Sequence, residues 1–144
     1  MSVPDVLDPR DAAARLLAEH DEDWVVRLTD ELDRHLSGRR LERLMRVWQL
    51  SRAELGSLFG VSRQAVSKWI ADGVPADRAV QVADVDAITE LLERYLKRDR
   101  IAAVVRREAP GLDGASLIEL ISSGRSSDAL RRTRQMFTFT DVHA

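Results

Sequence analysis

Apolar residues recur along this chain at intervals of three and four, the spacing that puts them on one face of an α-helix. Leu16 and Leu17 mark a first helix, and Val25, Leu28, Leu32 and Leu36 form a second run that is expected to break at Ser37-Gly38. Leu41, Leu44, Met45 and Trp48 then stand at i, i+3, i+4 and i+7, with Arg39, Arg43 and Arg46 on another face of the same helix. Ser51 followed by Glu54 reads as a capping box, each side chain satisfying an open amide at the start of a helix near Arg52. Gly60 interrupts that helix. Ser62 is a good N-cap, and a further helix is predicted from about Arg63 to Asp72, closed by Gly73 and Pro75.

Beyond Pro75 a long helical pattern runs through Val80, Ile88, Leu91, Leu92 and Tyr95, with Ala76, Ala79, Ala83 and Ala87 as small neighbours. Another helix around Ile101, Val104 and Val105 stops at Pro110-Gly111, and Ser116 with Glu119 forms a second capping box for a short helix carrying Leu117, Leu120 and Ile121. After Gly124 a final helix places Leu130, Thr133, Met136 and Phe137 on one face. The following Thr138-Phe139-Thr140-Asp141-Val142 is rich in β-branched residues and is expected to be extended. The predicted fold is all-α: a helix-turn-helix bundle, a long connecting helix and a small helical C-terminal domain. The expected divisions are 1–38, an acidic helical arm; 39–98, the helix-turn-helix domain; and 99–144, the C-terminal domain.

Composition adds limits. A chain of 144 residues with 44% apolar and 32% charged residues can bury one core and is too short for a large multi-domain enzyme. It contains no Cys, which excludes disulfides, thiolate metal sites and a Cys nucleophile. The start, MSVPDVLDPRD, is acidic where a secretory leader is basic, and no run of 18 apolar residues occurs; a soluble, cytoplasmic protein is expected, with no membrane partner.

The net charge of -2 hides an asymmetry. Met1 to Gly38 carries 4 basic against 10 acidic residues, while Arg39 to Ile70 carries 7 against 2. A basic segment within an acidic protein points to a directed contact with a polyanion, although a solvated helix face has the same composition. The basic segment contains RAELGSLFGVSRQAVSKWIA, which meets the steric demands of two helices crossing through a tight turn. Gly56 is small at the crossing, Gly60 suits a turn of positive φ, and Leu55, Phe59, Val61, Val66 and Trp69 supply a shared core. Arg63, Gln64, Ser67 and Lys68 are left on the outer face of the second helix. Arg and Gln are the side chains that pair with guanine and adenine edges, so these four are the candidates for base readout. Arg43, Arg46, Arg52 and Ser62 are the candidates for phosphate contact, Arg52 lying at a helix start where open amides also favour an anion.

This stretch resembles the helix-turn-helix of the Xre family of phage-repressor-like regulators, above all in GVSRQAVSKW and the Gly73-Val74-Pro75 exit. The resemblance implies binding to double-stranded operator DNA. A single recognition helix covers half of an operator, so a homodimer is expected. Further on, LDGASLIELISSGRSSDALRRTRQMF resembles the C-terminal domain shared by Xre, MbcA and ParS-type antitoxins, with Leu112, Gly114, Ser116, Leu120, Ile121 and Gly124 in the family order and Leu117 where that family usually has Pro. The second resemblance implies an antitoxin that represses its own operon and neutralises a RES-domain toxin, of a family that depletes NAD, by occluding its cofactor cleft. Ser116, Leu120, Gly124, Arg131, Arg134, Phe137 and Phe139 become the implied toxin-binding residues, with the tail from Phe137 to Ala144 as the segment to insert. Phe137 and Phe139 suit core closure equally well.

Nothing in the chain reads as a catalytic centre. His20, His35 and His143 lack metal-site spacing, no phosphate-binding Gly loop is present, and Asp84 with Asp86 or Glu90 with Glu93 are better explained as a solvated helix. No cofactor or metal is expected. Two other readings stay open: a free-standing dimeric Xre-type regulator without a toxin, and a protein adaptor whose acidic arm repels DNA.

Overall fold

The computed structural model describes the backbone of residues 8–142 and the side chains of residues 8–138. The fold is all-α, with eight α-helices and no strand among the described residues: α1 (Pro9–Glu19), α2 (Glu22–Trp48), α3 (Arg52–Phe59), α4 (Arg63–Asp72), α5 (Ala79–Tyr95), α6 (Arg98–Arg106), α7 (Leu117–Ser122) and α8 (Ser126–Val142). Short 3-10 turns follow Pro75 at Ala76–Arg78 and begin with Pro110 at Pro110–Leu112.

Local chemistry explains most helix starts. Asp8 accepts a bond from the Arg10 amide with Pro9 at the first position of α1, and Asp21 accepts from the Trp24 amide at the start of α2. Both capping boxes form, Ser51 with Glu54 opening α3 and Ser116 with Glu119 opening α7. Ser62 caps α4 through the Ala65 amide at 3.1 Å.

One hydrophobic core runs through the body, from the C-terminal half of α2 to α8. Leu41, Leu55, Val66, Ile88, Ile101 and Ile121 are all fully or almost fully excluded from water. The indole N–H of Trp48 donates to Thr89 Oγ1 at 3.0 Å, and that hydroxyl donates to the Val85 carbonyl at 2.8 Å, so the largest core ring leaves no polar atom unmatched. Arg106 fastens the end of α2 to α6: its guanidinium donates to the Trp48 carbonyl at 2.8 Å and to the Gln49 carbonyl at 3.0 Å, where Gln49 is in the left-handed conformation.

Two expectations are corrected. The break at Ser37-Gly38 does not occur, and α2 continues unbroken for 27 residues. Gly38 serves a close approach: α2 crosses α4 there, and a Cβ at this position would lie 2.4 Å from the Ile70 carbonyl oxygen. The expected division between residues 38 and 39 therefore falls inside a continuous helix. The tail is not extended either, because α8 runs on to Val142. Docking of α8 along α5 supplies the register that β-branched side chains on their own do not select.

Candidate functional site

The stretch expected to be a helix-turn-helix folds as two consecutive packed helices, α3 and α4, joined by a turn at Gly60. Gly60 ends α3 in the left-handed conformation, φ 69°, and its successor Val61 donates to the Gly56 carbonyl at 2.8 Å. Gly56 is required by contact rather than by φ, since a Cβ there would meet the Val61 carbonyl oxygen at 2.6 Å. Val66 and Trp69 turn α4 inward, and the Trp69 ring packs at 55° to Phe59 with centroids 6.1 Å apart. This fixes the opposite face of α4 toward solvent.

That outer face carries the four residues singled out for base readout. Arg63, Gln64 and Lys68 are exposed, and Ser67 is half-buried between them. Arg52, at the first position of α3, donates from Nη1 to Ser67 Oγ at 2.8 Å and so joins the N-terminus of α3 to the middle of α4. With Ser62 occupied as a cap, the first amides of α4 stay at the open end of the helix, where an anion is favoured. Arg52, Ser62, Arg63, Gln64, Ser67 and Lys68 thus form one continuous polar surface. Arg46 lies exposed on α2.

Arg43 is turned elsewhere. Its guanidinium sits 2.9 Å from Glu93 and 3.7 Å from Asp86, both on α5. Glu93 Oε1 is buried without an aligned hydrogen-bond donor, so the positive charge of Arg43 compensates it at this junction. Arg43 belongs to the α2–α5 packing and is not grouped with the outer face of α4.

The residues assigned to a toxin are spread over two environments. Ser116 and Leu120 are buried, the first as the cap of α7 and the second in the core, whereas Gly124 is exposed at the end of α7 with φ 81°. Arg131 and Arg134 are exposed on α8. Arg131 pairs with Asp128, which also accepts from Arg125 at 2.6 Å and from Arg132 at 3.1 Å. Burial of Asp128 pushes its carboxyl upward, but the Arg131 hydrogen bond and the charges of Arg132, Arg131 and Arg125 outweigh it and hold the group below the usual carboxylate range. Phe137 stacks on Tyr95 at 4.5 Å and 7°, closing α8 onto α5. The side chain of Phe139 and the residues after Val142 lie outside the described residues.

One feature was missed in the sequence. Residues 94–107, spanning the end of α5 and α6, hold six basic side chains and one acidic, a second basic cluster. Counting charge over helices rather than over blocks of residues finds it.

No protein-family model matches the chain, and no curated protein sequence is significantly similar to it. Among solved structures, a chain of the crystal structure of the M. tuberculosis MbcT–MbcA toxin–antitoxin complex aligns with a TM-score of 0.56 at 18% identity, over 69% of this chain and 91% of that one. The two chains share a fold. Among the described residues no group of three His, Asp or Glu side chains is placed to hold a metal, and no helix is long and apolar enough to cross a membrane.

Proposed function

We propose that this protein is an antitoxin that represses its own operon through α3 and α4 and neutralises a cognate toxin through its C-terminal helices. The observation that carries the DNA half of this reading is the solvent-facing surface of α4, where Arg63, Gln64 and Lys68 stand clear of the core and Ser67 is held by Arg52. Arg63 and Gln64 have the donor and acceptor geometry to read guanine and adenine in the major groove; Arg52, Ser62, Arg46 and the α4 amides would contact phosphates. The toxin half is supported by the fold shared with a chain of a toxin–antitoxin complex. In this reading the toxin is of the NAD-depleting RES type, and Gly124, Arg131 and Arg134 offer the exposed part of the contact.

Gel shifts with the DNA upstream of the gene test the first half: Gln64→Ala and Lys68→Ala should each weaken operator binding by about 1–3 kcal/mol. Unchanged affinity in both variants removes the base-reading assignment. Co-expression with the neighbouring open reading frame tests the second half. A tight complex, and relief of growth arrest, is the expected result; a harmless neighbour with no complex leaves a free-standing regulator.

A further inference from the structure

The two halves of α2 present their apolar residues to different sides. At about 100° per residue, Val25, Leu28, Leu32 and Leu36 fall within roughly 80° of one another, whereas Leu41, Leu44 and Trp48 centre well over 90° away. The second set is in the core; the first is not. Val25 and Leu28 are half-buried, while Leu32 and Leu36 remain 52% and 46% exposed. Leu17 on α1 is 65% exposed as well. The arm thus shows an apolar stripe on an acidic background, 4 basic against 10 acidic residues up to Gly38. Because α2 is continuous through Gly38, the arm has no hinge by which to fold back onto its own body.

The complement of that surface exists elsewhere on the same molecule. Between the end of α5 and α6 lies an open groove of about 320 Å³. Leu96, Ala103 and Val104 supply its apolar lining, and Lys97, Arg100 and Arg107 its basic rim. Those three cations are exposed and enter no ion pair with any described residue. Tyr95, stacked on Phe137, forms one end of the groove.

We infer that the acidic arm of one molecule docks in the basic-rimmed α5–α6 groove of a second copy. Pairing arm with arm would bring like charges together, while pairing arm with groove brings together opposite charges and covers two apolar surfaces at once. Reciprocal exchange about a two-fold axis satisfies both arms and both grooves and closes the assembly as a dimer. The groove ends at Tyr95, on which Phe137, one of the implied toxin-binding residues, is stacked, but Lys97, Arg100, Arg107, Leu32 and Leu36 are none of those assigned to DNA or toxin, so the arm and groove variants test this inference separately from the function proposed above.

Sedimentation equilibrium of the full chain tests it. The wild type should dimerise, and raising ionic strength from about 0.1 to 1 M, which shortens the screening length from about 10 to 3 Å, should weaken dimerisation at least tenfold. An arm variant, Leu32→Asp with Leu36→Asp, and a groove variant, Arg100→Glu with Arg107→Glu, should each be monomeric with unchanged helicity, all four sites being exposed. Mixed together, the two variants should associate again, because the intact arm of one meets the intact groove of the other. A wild type that stays monomeric, a groove variant that stays dimeric, or a mixture that fails to associate overturns the inference; a groove variant still dimeric identifies arm-to-arm pairing instead.

Discussion

The two ends of α2 have the same helical period and opposite fates. Leu41, Leu44, Val47 and Trp48 are 0–3% exposed, whereas Leu32 and Leu36, equally large and equally well spaced, leave about half their surface in water. Periodicity selects the helix in both halves. It does not select burial, which requires a second surface, and α3, α4, α5 and α6 provide one only from Gly38 onward. The difference separates a part of the chain whose contacts are complete within one molecule from a part whose contacts are not.

Substitutions on either side of that divide sharpen it. Leu41→Ala should cost about 2–5 kcal/mol in chemical denaturation, the loss of burial adding to the cavity left in a packed core. Leu32→Ala, by contrast, should change the stability of the monomer by about 0.5 kcal/mol or less, as for other surface sites. Equal effects at the two positions would mean that the arm is packed as tightly as the body. At the divide itself, Gly38→Ala should destabilise by about 1–3 kcal/mol, because the new methyl meets the rigid Ile70 backbone. Helix propensity works in the opposite direction by about 1 kcal/mol, so a stabilised variant would show that α2 and α4 can separate without loss.

The smallest effect is electrostatic. The carboxyl of Asp128 is held below its ordinary value of 3.8 for the reasons given above, and the Ser51 amide and hydroxyl hold Glu54 below 4.5 against a small opposing effect of burial, with Arg106 helping. A folded-state value lowered in this way stabilises the protein above the ordinary value, and the gain disappears as pH falls through the lowered one. Melting temperature should therefore decline below about pH 4.5, and Asp128→Asn should flatten the decline while lowering stability at pH 7. A variant with the wild-type acid profile would show that the three arginines around Asp128 contribute no measurable stability.

Much of the fold was legible in the sequence because its signals are local. Capping boxes, proline stops and the Gly60 turn operate within a few residues, so α3, α4 and α7 were placed almost residue by residue. The same holds for the outer face of α4, where Arg63, Gln64 and Lys68 are exposed because Val66 and Trp69 must be inside. Arg43 was harder to place: its partners Asp86 and Glu93 are more than forty residues away, and no spacing rule connects them. Gly38 misled because glycine ends helices as readily as it permits helices to touch.

By itself, then, the order of residues determined that this chain is helical, where most helices begin and end, and which side chains of α4 cannot be buried. Only the tertiary structure decided that α2 runs on through Gly38, that α8 continues to Val142, and which apolar stripe and which arginines have partners. The reason is one of range: a cap or a turn is settled by groups a few ångströms away along the chain, while burial and ion pairing depend on surfaces that meet only after the whole body has assembled.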